Sequence, residues 1–433
     1  MNSLYPLENV FIEPPITYTR FFQVIGSPFL CKIFIIAVVI EKNEKGEQCM
    51  IAKIFAVGSV AAMFLVGCCD KRASCEDCAK SDVKSAAVSA ATAAVPTESR
   101  QASTLAEQSK QAVLPERPQE SLSLWNDHAP AKDSLEAFVR ATTDSTLPDF
   151  IPAEHRIAVF DWDGTLFLET APTYFDWMLF EHRVLDDSTY KPSKKQLKAA
   201  REGREKKIFP GLSAERERMV AEAYKGMTLP EFEAYVRAFM QEPQPGFTGL
   251  KRGGAYYKPM VEVVKFLTAN GFTVYVSSGT ERYTMRPVVV DGLGLPPKQI
   301  IGSDVVVVSN NQKGADGLAY TFQNGDDLVL AGQSIIKNLQ TNKVTTLASE
   351  IGYQPVLAFG NSGTDASLLN YAISNNKYRS MGFMLLCDDL EREYGNEAKA
   401  EKMRTASEKY GWIPVSMKND WKTIYGEGVQ KAK

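Results

Sequence analysis

The sequence predicts an α/β protein, a doubly wound parallel sheet with an inserted α-helical cap, and three observations predict it. Apolar strand-like runs alternate with amphipathic helical segments from Pro259 towards the carboxyl end. Residues 170 to 255 read as helix with little strand character. Three of the strand-like runs end in polar clusters: Asp161-Trp162-Asp163, Ser277-Ser278, and Asn361 through Asp365. Alternation of this kind implies a parallel sheet covered on both faces. Ligands bind such sheets at the carboxyl ends of the strands, so the polar clusters mark a candidate active site on a Rossmann-like core.

Taken in order, "AKDSLEAFVRATTD" at 131–144 has Leu135, Phe138 and Val139 at helical spacing, with Asp133 or Ser134 available as cap. "IAVF" at 157–160 is a short buried strand, apolar without alternation. The helical stretch behind it divides at Pro192, at Pro210-Gly211 and at Thr228, where Leu229-Pro230 suits a first helical turn. "MVEVVKFLTANG" is an amphipathic helix stopped at Gly271, and "FTVYVSSGT" a buried strand ending in hydroxyls. "YTMRPVVVDGLG" reads as a helix despite Pro287. "IIGSDVVVVSN" and "LAYTFQN" are expected to pair as a small hairpin. The helix "NKVTTLASEIG", the strand "PVLAFGNSGTD", the helix "ASLLNYAIS" and the strand "GFMLLCDD" complete the alternation.

The first 121 residues differ in character. From Met50 the chain runs through Lys53 into apolar and small residues up to Gly67, too short to span a bilayer but suited to a signal-peptide core. It ends in Leu65-Val66-Gly67-Cys68, which resembles the lipobox of bacterial lipoproteins. That resemblance implies cleavage before Cys68, lipidation of Cys68, and export to a membrane-anchored position in the periplasm or at the cell surface. Residues 1–49 then read as an upstream mis-start or an unstructured extension, with 50–67 the signal. Residues 68–121 have linker composition and would hold the following domain on the order of 30–40 Å from its anchor. Cys75 and Cys78 have redox-motif spacing but no strand–helix unit around them. Residues 122–433 form the main domain. The net charge of -3 gives no basic field for nucleic acid. Three histidines, His128, His155 and His182, lie in contexts unlike a zinc site. Chemistry therefore rests on carboxylates, hydroxyls and lysine.

Asp161 and Asp163 sit where the first strand leaves its sheet, and carboxylates there need a cation, a proton or water. If one of them attacks a phosphate monoester, charges of -1 and -2 about 3.5 Å apart repel by roughly 9–10 kcal/mol at an effective dielectric near 20. A divalent cation offsets that repulsion, and Mg²⁺ favours oxygen ligands with few protein donors. Lys343 supplies further positive charge, with Lys337 nearby as its rival, and Ser277 a hydroxyl donor.

Asp161-Trp162-Asp163-Gly164-Thr165, a hydroxyl after "VYV", a lysine and "GNSGTD" resemble, in order, the four motifs of the haloacid dehalogenase-like superfamily. The similarity runs from about Trp125 through "GWIPVSMKNDWKTIY" and is nearest to exported, phosphoserine phosphatase-like members with a helical cap, here 170–255. The resemblance implies Asp161 as nucleophile, forming an aspartyl-phosphate, and Asp163 as the acid and then base. It places Ser277 and Lys343 on the phosphoryl group, Thr165, Ser278 and Gly279 around the substrate, and Asp161, Asp163, Asn361 and Asp365 at Mg²⁺. Ser277 is preferred to Ser278 because it comes first after the strand. Dehalogenases lack an acid two residues after the nucleophile and phosphonatases carry alanine there, so Asp163 points to phosphoester chemistry. Asn361 departs from the pattern, since many relatives have aspartate there.

The expected function is a Mg²⁺-dependent phosphatase for a small phosphomonoester. The alternatives are a phosphotransferase on the same fold and a catalytically impaired phosphate-ligand binder, for which Asn361 is the support. Phosphoserine phosphatases carry glutamate nine residues after the nucleophile; Thr170 stands there, with Glu169 before it. Tyr174, Phe175, Trp177 and Phe180 either cage a cationic substrate or pack the cap. Arg282 and Arg286 either reach substrate or serve the surface.

Overall fold

Runs of β-branched and aromatic residues at period two or in short apolar blocks set the strands, and the computed structural model describes residues 122–432 together with the backbone of three strands ahead of them. Those three, β1 (Phe21–Ile25), β2 (Ile33–Lys42) and β3 (Gln48–Val57), form an antiparallel sheet in the unit Met1–Glu107. β3 covers Met50 to Val57 of the segment read as a signal. The rest of that segment, Cys68, and Cys75 with Cys78 lie outside the described residues. Among the described residues no helix is long and apolar enough to cross a membrane.

The second unit opens with α1 (Pro130–Thr143) and β4 (Ile157–Phe160). The helices α2 (Phe175–Leu185), α3 (Lys194–Lys206), α4 (Ala214–Glu222) and α5 (Leu229–Met240) follow, and then the short β5 (Phe247–Thr248). The alternation runs α6 (Lys258–Ala269), β6 (Thr273–Glu281), α7 (Arg282–Leu293), β7 (Ile300–Ser309), β8 (Leu328–Ile336), α8 (Thr341–Glu350), β9 (Leu357–Gly360), α9 (Ala366–Ile373), β10 (Met381–Leu386), α10 (Glu397–Tyr410) and β11 (Ile413–Ser416). α11 (Met417–Asp420) and β12 (Gln430–Lys431) close the chain.

Seven strands form the main sheet in the order β11-β10-β9-β4-β6-β7-β8, parallel except where β8 returns antiparallel to β7. β4 is buried throughout and lies between β6 and β9. The chain leaves β4 towards β6 on one side and later returns to β9 on the other, which is the switch point where doubly wound sheets open a crevice. Phe160 pairs with Val276 and with Phe359, so the residues just beyond these three strand ends arrive at one level. Phe160, Phe359 and Phe383 stack face to face across β4, β9 and β10, with centroid separations of 4.1 and 4.8 Å.

Local chemistry explains several boundaries. α5 starts at Thr228, whose hydroxyl and Glu231 form a reciprocal capping box, with Pro230 in the first turn. α7 continues through Pro287, and its start is secured by the Glu281 carboxylate, which accepts from the backbone of Tyr283 and Thr284. α1 differs from expectation: it begins at Pro130 after Ala129, and Ser134 instead donates back to the Pro130 carbonyl. The hairpin also differs. β7 pairs with Leu328–Ile336 and not with "LAYTFQN", because Tyr320 and Gln323 are engaged in closing a loop on the Asp326 carboxylate. β8 in turn supports the insertion through backbone bonds between Leu330 and both Gly226 and Met227.

Candidate active site

The turn after β4 is set by Trp162, whose carbonyl accepts from the amides of Thr165, Leu166 and Phe167. Its ring is fully buried and stacked on Phe167. Gly164 has φ +74, and a Cβ there would fall 1.7 Å from Asn361 Nδ2, so the turn requires glycine twice over. This turn puts Asp161 and Asp163 at the floor of a cavity of about 200 Å³.

The two carboxylates meet different partners. Lys343 Nζ, from α8, donates to Asp161 Oδ1 at 2.5 Å and to Asp365 Oδ1 at 2.6 Å, with all three side chains buried. Burial and the neighbouring Asp365 push Asp161 up to about 7, with the Lys343 ammonium pulling the other way. Burial disfavours the charge on Lys343, but Asp161 and Asp365 more than compensate and hold it above its ordinary value. Asp163 Oδ2 accepts from Thr280 Oγ1 at 2.6 Å and from Ser278 Oγ at 3.3 Å, while its Oδ1 is buried without a partner. Burial, reinforced by Asp176, raises Asp163 well above the usual carboxylate range, against the Thr280 hydrogen bond. One acid is thus paired with a fixed cation and the other is poised to hold a proton.

Most of the residues singled out from the sequence gather here. Asp161, Asp163, Ser278, Gly279 and Asn361 line the cavity. Thr165 is buried beneath it and donates to Asp161 Oδ2 at 3.4 Å. Asp365 accepts through Oδ2 from the amides of Asn361 and Ser362. Ser277 does not face the cavity: its hydroxyl is fully buried and accepts from Asn338 Nδ2 at 3.1 Å. The pleat turns consecutive side chains to opposite faces, so Ser277 and Ser278 cannot both point into the cavity.

Phe175, Trp177 and Phe180 are buried in the core, and of that aromatic set only Tyr174 borders the cavity. Arg282 is held by Asp304 and Glu350 and Arg286 lies over Tyr283, so neither borders it. Lys337 does border it but is paired with Glu217. Sequence reading passed over Thr280, Asn338, Asp176, Arg216 and Lys399. Thr280 belongs to the hydroxyl run ending β6 and was visible there. Lys399 comes from α10, where no local signal connects it to Glu169.

Among the described residues no three histidine, cysteine or acidic side chains converge as an ion-holding group, and the Lys343 ammonium stands between Asp161 and Asp365. The donor set nevertheless fits a hard dication. It is all oxygen, it is buried, and it includes the Asn361 amide oxygen, which accepts no hydrogen bond among the described residues.

Residues 158–370 match the family model of the haloacid dehalogenase-like hydrolase. No curated protein matches the chain. Similar solved structures include a conserved protein of unknown function from Anaerococcus prevotii (12% identity, 66% of this chain and 91% of that chain covered, TM-score 0.41). Cytosolic 5'-nucleotidase IIIB bound to cytidine is another (14%, 70% and 90%, TM-score 0.40). A third is a phosphoserine phosphohydrolase-like protein from Francisella tularensis (17%, 53% and 87%, TM-score 0.29). The family match runs from the strand that ends just before Asp161, through the strand carrying Ser278, to the turn carrying Asp365, and residues 158–370 form a haloacid dehalogenase-like hydrolase domain.

Proposed function

We propose that the chain is a phosphatase that hydrolyses a small phosphomonoester through an aspartyl-phosphate on Asp161. The observation that carries this reading is the unequal pair of carboxylates at one strand end. Asp161 faces a fixed ammonium, while Asp163 lies among hydroxyls with its affinity for a proton raised. A carboxylate Oδ of Asp161 attacks phosphorus, the ester P–O bond breaks, and the Asp163 carboxyl gives its proton to the leaving oxygen. Water then attacks the phosphoryl group, Asp163 takes a proton from it, and inorganic phosphate leaves with Asp161 restored. Ser278 Oγ and the Gly279 backbone, at the rim of the cavity, hold the phosphoryl oxygens, and Lys343 balances their charge. Mg²⁺ is the proposed cofactor, with Asp161, the Asp163 backbone carbonyl, Asn361 and Asp365 as its donors. When bound it would neutralise charge between the nucleophile and the ester.

Hydrolysis of p-nitrophenyl phosphate by the full-length protein with Mg²⁺ tests the reading. Asp161→Asn is expected to lower kcat about a thousandfold or more, and Asp163→Asn by about 10²–10⁴-fold, because an amide delivers no proton. Equal activity of wild type and both variants would sink the proposal. Added acceptor alcohols separate hydrolysis from transfer: phosphorylated alcohol as the main product would make the enzyme a phosphotransferase. Ligand binding without turnover would make it a binder.

A further inference from the structure

Asn361 lacks the charge that many family members carry at its position, and its surroundings are built around that amide. Its Nδ2 donates to Glu169 Oε2 at 2.9 Å. The same oxygen accepts from Lys399 Nζ at 2.6 Å, and Glu169 Oε1 accepts from Tyr174 OH at 3.2 Å. Burial works against the Lys399 charge, and Glu169 restores it beyond its ordinary value. Asn361 and Glu169 are 4% and 9% exposed, so this contact is largely shielded from water. Gly164 leaves the space it fills, since a Cβ there would also lie 2.8 Å from Glu169 Oε2.

An ionised carboxylate only accepts hydrogen bonds, so the amide must turn its NH₂ to Glu169. The amide oxygen then faces away from Glu169, and among the described residues no hydrogen bond reaches it. An amide turned the other way would present N–H donors to a cation, which repels. We propose that Glu169 is a positioning residue that fixes the Asn361 amide with its oxygen offered to a divalent cation, Lys399 holding Glu169 in place. The negative charge missing from Asn361 is thereby kept one side chain further out. This rests on the Mg²⁺ reading above.

The test is calorimetric titration of Mg²⁺ into the full-length chain without substrate, for wild type, Glu169→Gln, Asn361→Asp and the double variant. Glu169→Gln frees the amide to rotate and is expected to raise the Mg²⁺ Kd about 10–100-fold, the range for partners that orient metal ligands. Asn361→Asp alone sets two carboxylates against each other and is expected to leave the affinity unchanged or weaker. In the Glu169→Gln background the same change is expected to tighten binding at least tenfold, because the introduced carboxamide donates where the Glu169 carboxylate cannot. A Glu169→Gln variant that melts earlier yet binds Mg²⁺ like wild type would overturn the positioning role alone. Should Glu169→Gln not fold, tenfold tighter binding by Asn361→Asp would overturn it as well. Wild type that takes up no Mg²⁺ would overturn both this inference and the Mg²⁺ reading.

Discussion

Two carboxylates separated by a single tryptophan stand in different electrostatic surroundings because their neighbours differ, and two consecutive serines likewise meet different partners. Ser278 borders the cavity and reaches Asp163, while Ser277 is turned into the protein against Asn338. Ser278→Ala is expected to lower kcat about 10²-fold, the scale of losing one donor to developing negative charge. Ser277→Ala removes a buried acceptor and is expected to cost about 1–2 kcal/mol of stability, with turnover changed little. Steady-state kinetics paired with chemical denaturation separate the two, and the reverse pattern would overturn the assignment. At this scale the "DWDGT" run and the "GNSGTD" run were legible in the sequence because each is contiguous. The choice between the serines was not, because it depends on where the pleat is in phase with the cavity. The partner of Asn361 was also hidden: Glu169 is 192 residues from it along the chain, and Lys399, which holds Glu169, is 230 residues from Glu169.

The strands bring these residues together only if their ends stay level, and a stack of phenylalanines across the sheet sets that level. Phe359 is 1% exposed and sandwiched between Phe160 on β4 and Phe383 on β10. It is the next-to-last residue of β9, followed by Gly360 and then Asn361, so it carries both the core and the approach to the site. Phe359→Ala is expected to cost about 3–5 kcal/mol in urea or guanidinium unfolding, the range for emptying a buried aromatic site. A loss below about 1 kcal/mol would mean that the sheet registers its strand ends by other contacts. Periodicity alone revealed the parallel strands and helices such as α5 and α6, whose caps and stops are local. The strand opposite β7 escaped it, since Tyr320 reads as a strand residue until its hydroxyl is seen on Asp326. Long-range competition for a side chain leaves no mark on local pattern.

Across the second unit, the stretch ahead of α1 and the stretch after β11 clasp each other. Trp125 packs edge-on against Trp421, Asn126 bonds to Asp420, and β12 pairs with β5 at the foot of the insertion. Under this closure lies Glu393, whose carboxylate accepts from Tyr425 OH and from the Tyr394 amide, while Lys431 donates to its carbonyl. Burial raises Glu393 from 4.5 to about 7, the Tyr425 hydrogen bond offsetting only part of the effect. A carboxyl with a raised folded-state pKa keeps its proton longer in the native state than in the unfolded chain. Below about 4.5 both states are protonated and ionisation costs the fold nothing. As pH climbs towards 7 the unfolded chain ionises first, so native stability falls, and above about 7 the loss is complete. The gap between 4.5 and about 7 corresponds to about 3 kcal/mol at most. Glu393→Gln keeps an acceptor for Tyr425 without the charge. It should match wild type near pH 4.5 in denaturant titrations and exceed it by about 2–3 kcal/mol at pH 8. Identical pH slopes for the two proteins would show that Glu393 ionises as freely in the native clasp as in the unfolded chain. The contact between these two stretches would then carry no buried proton.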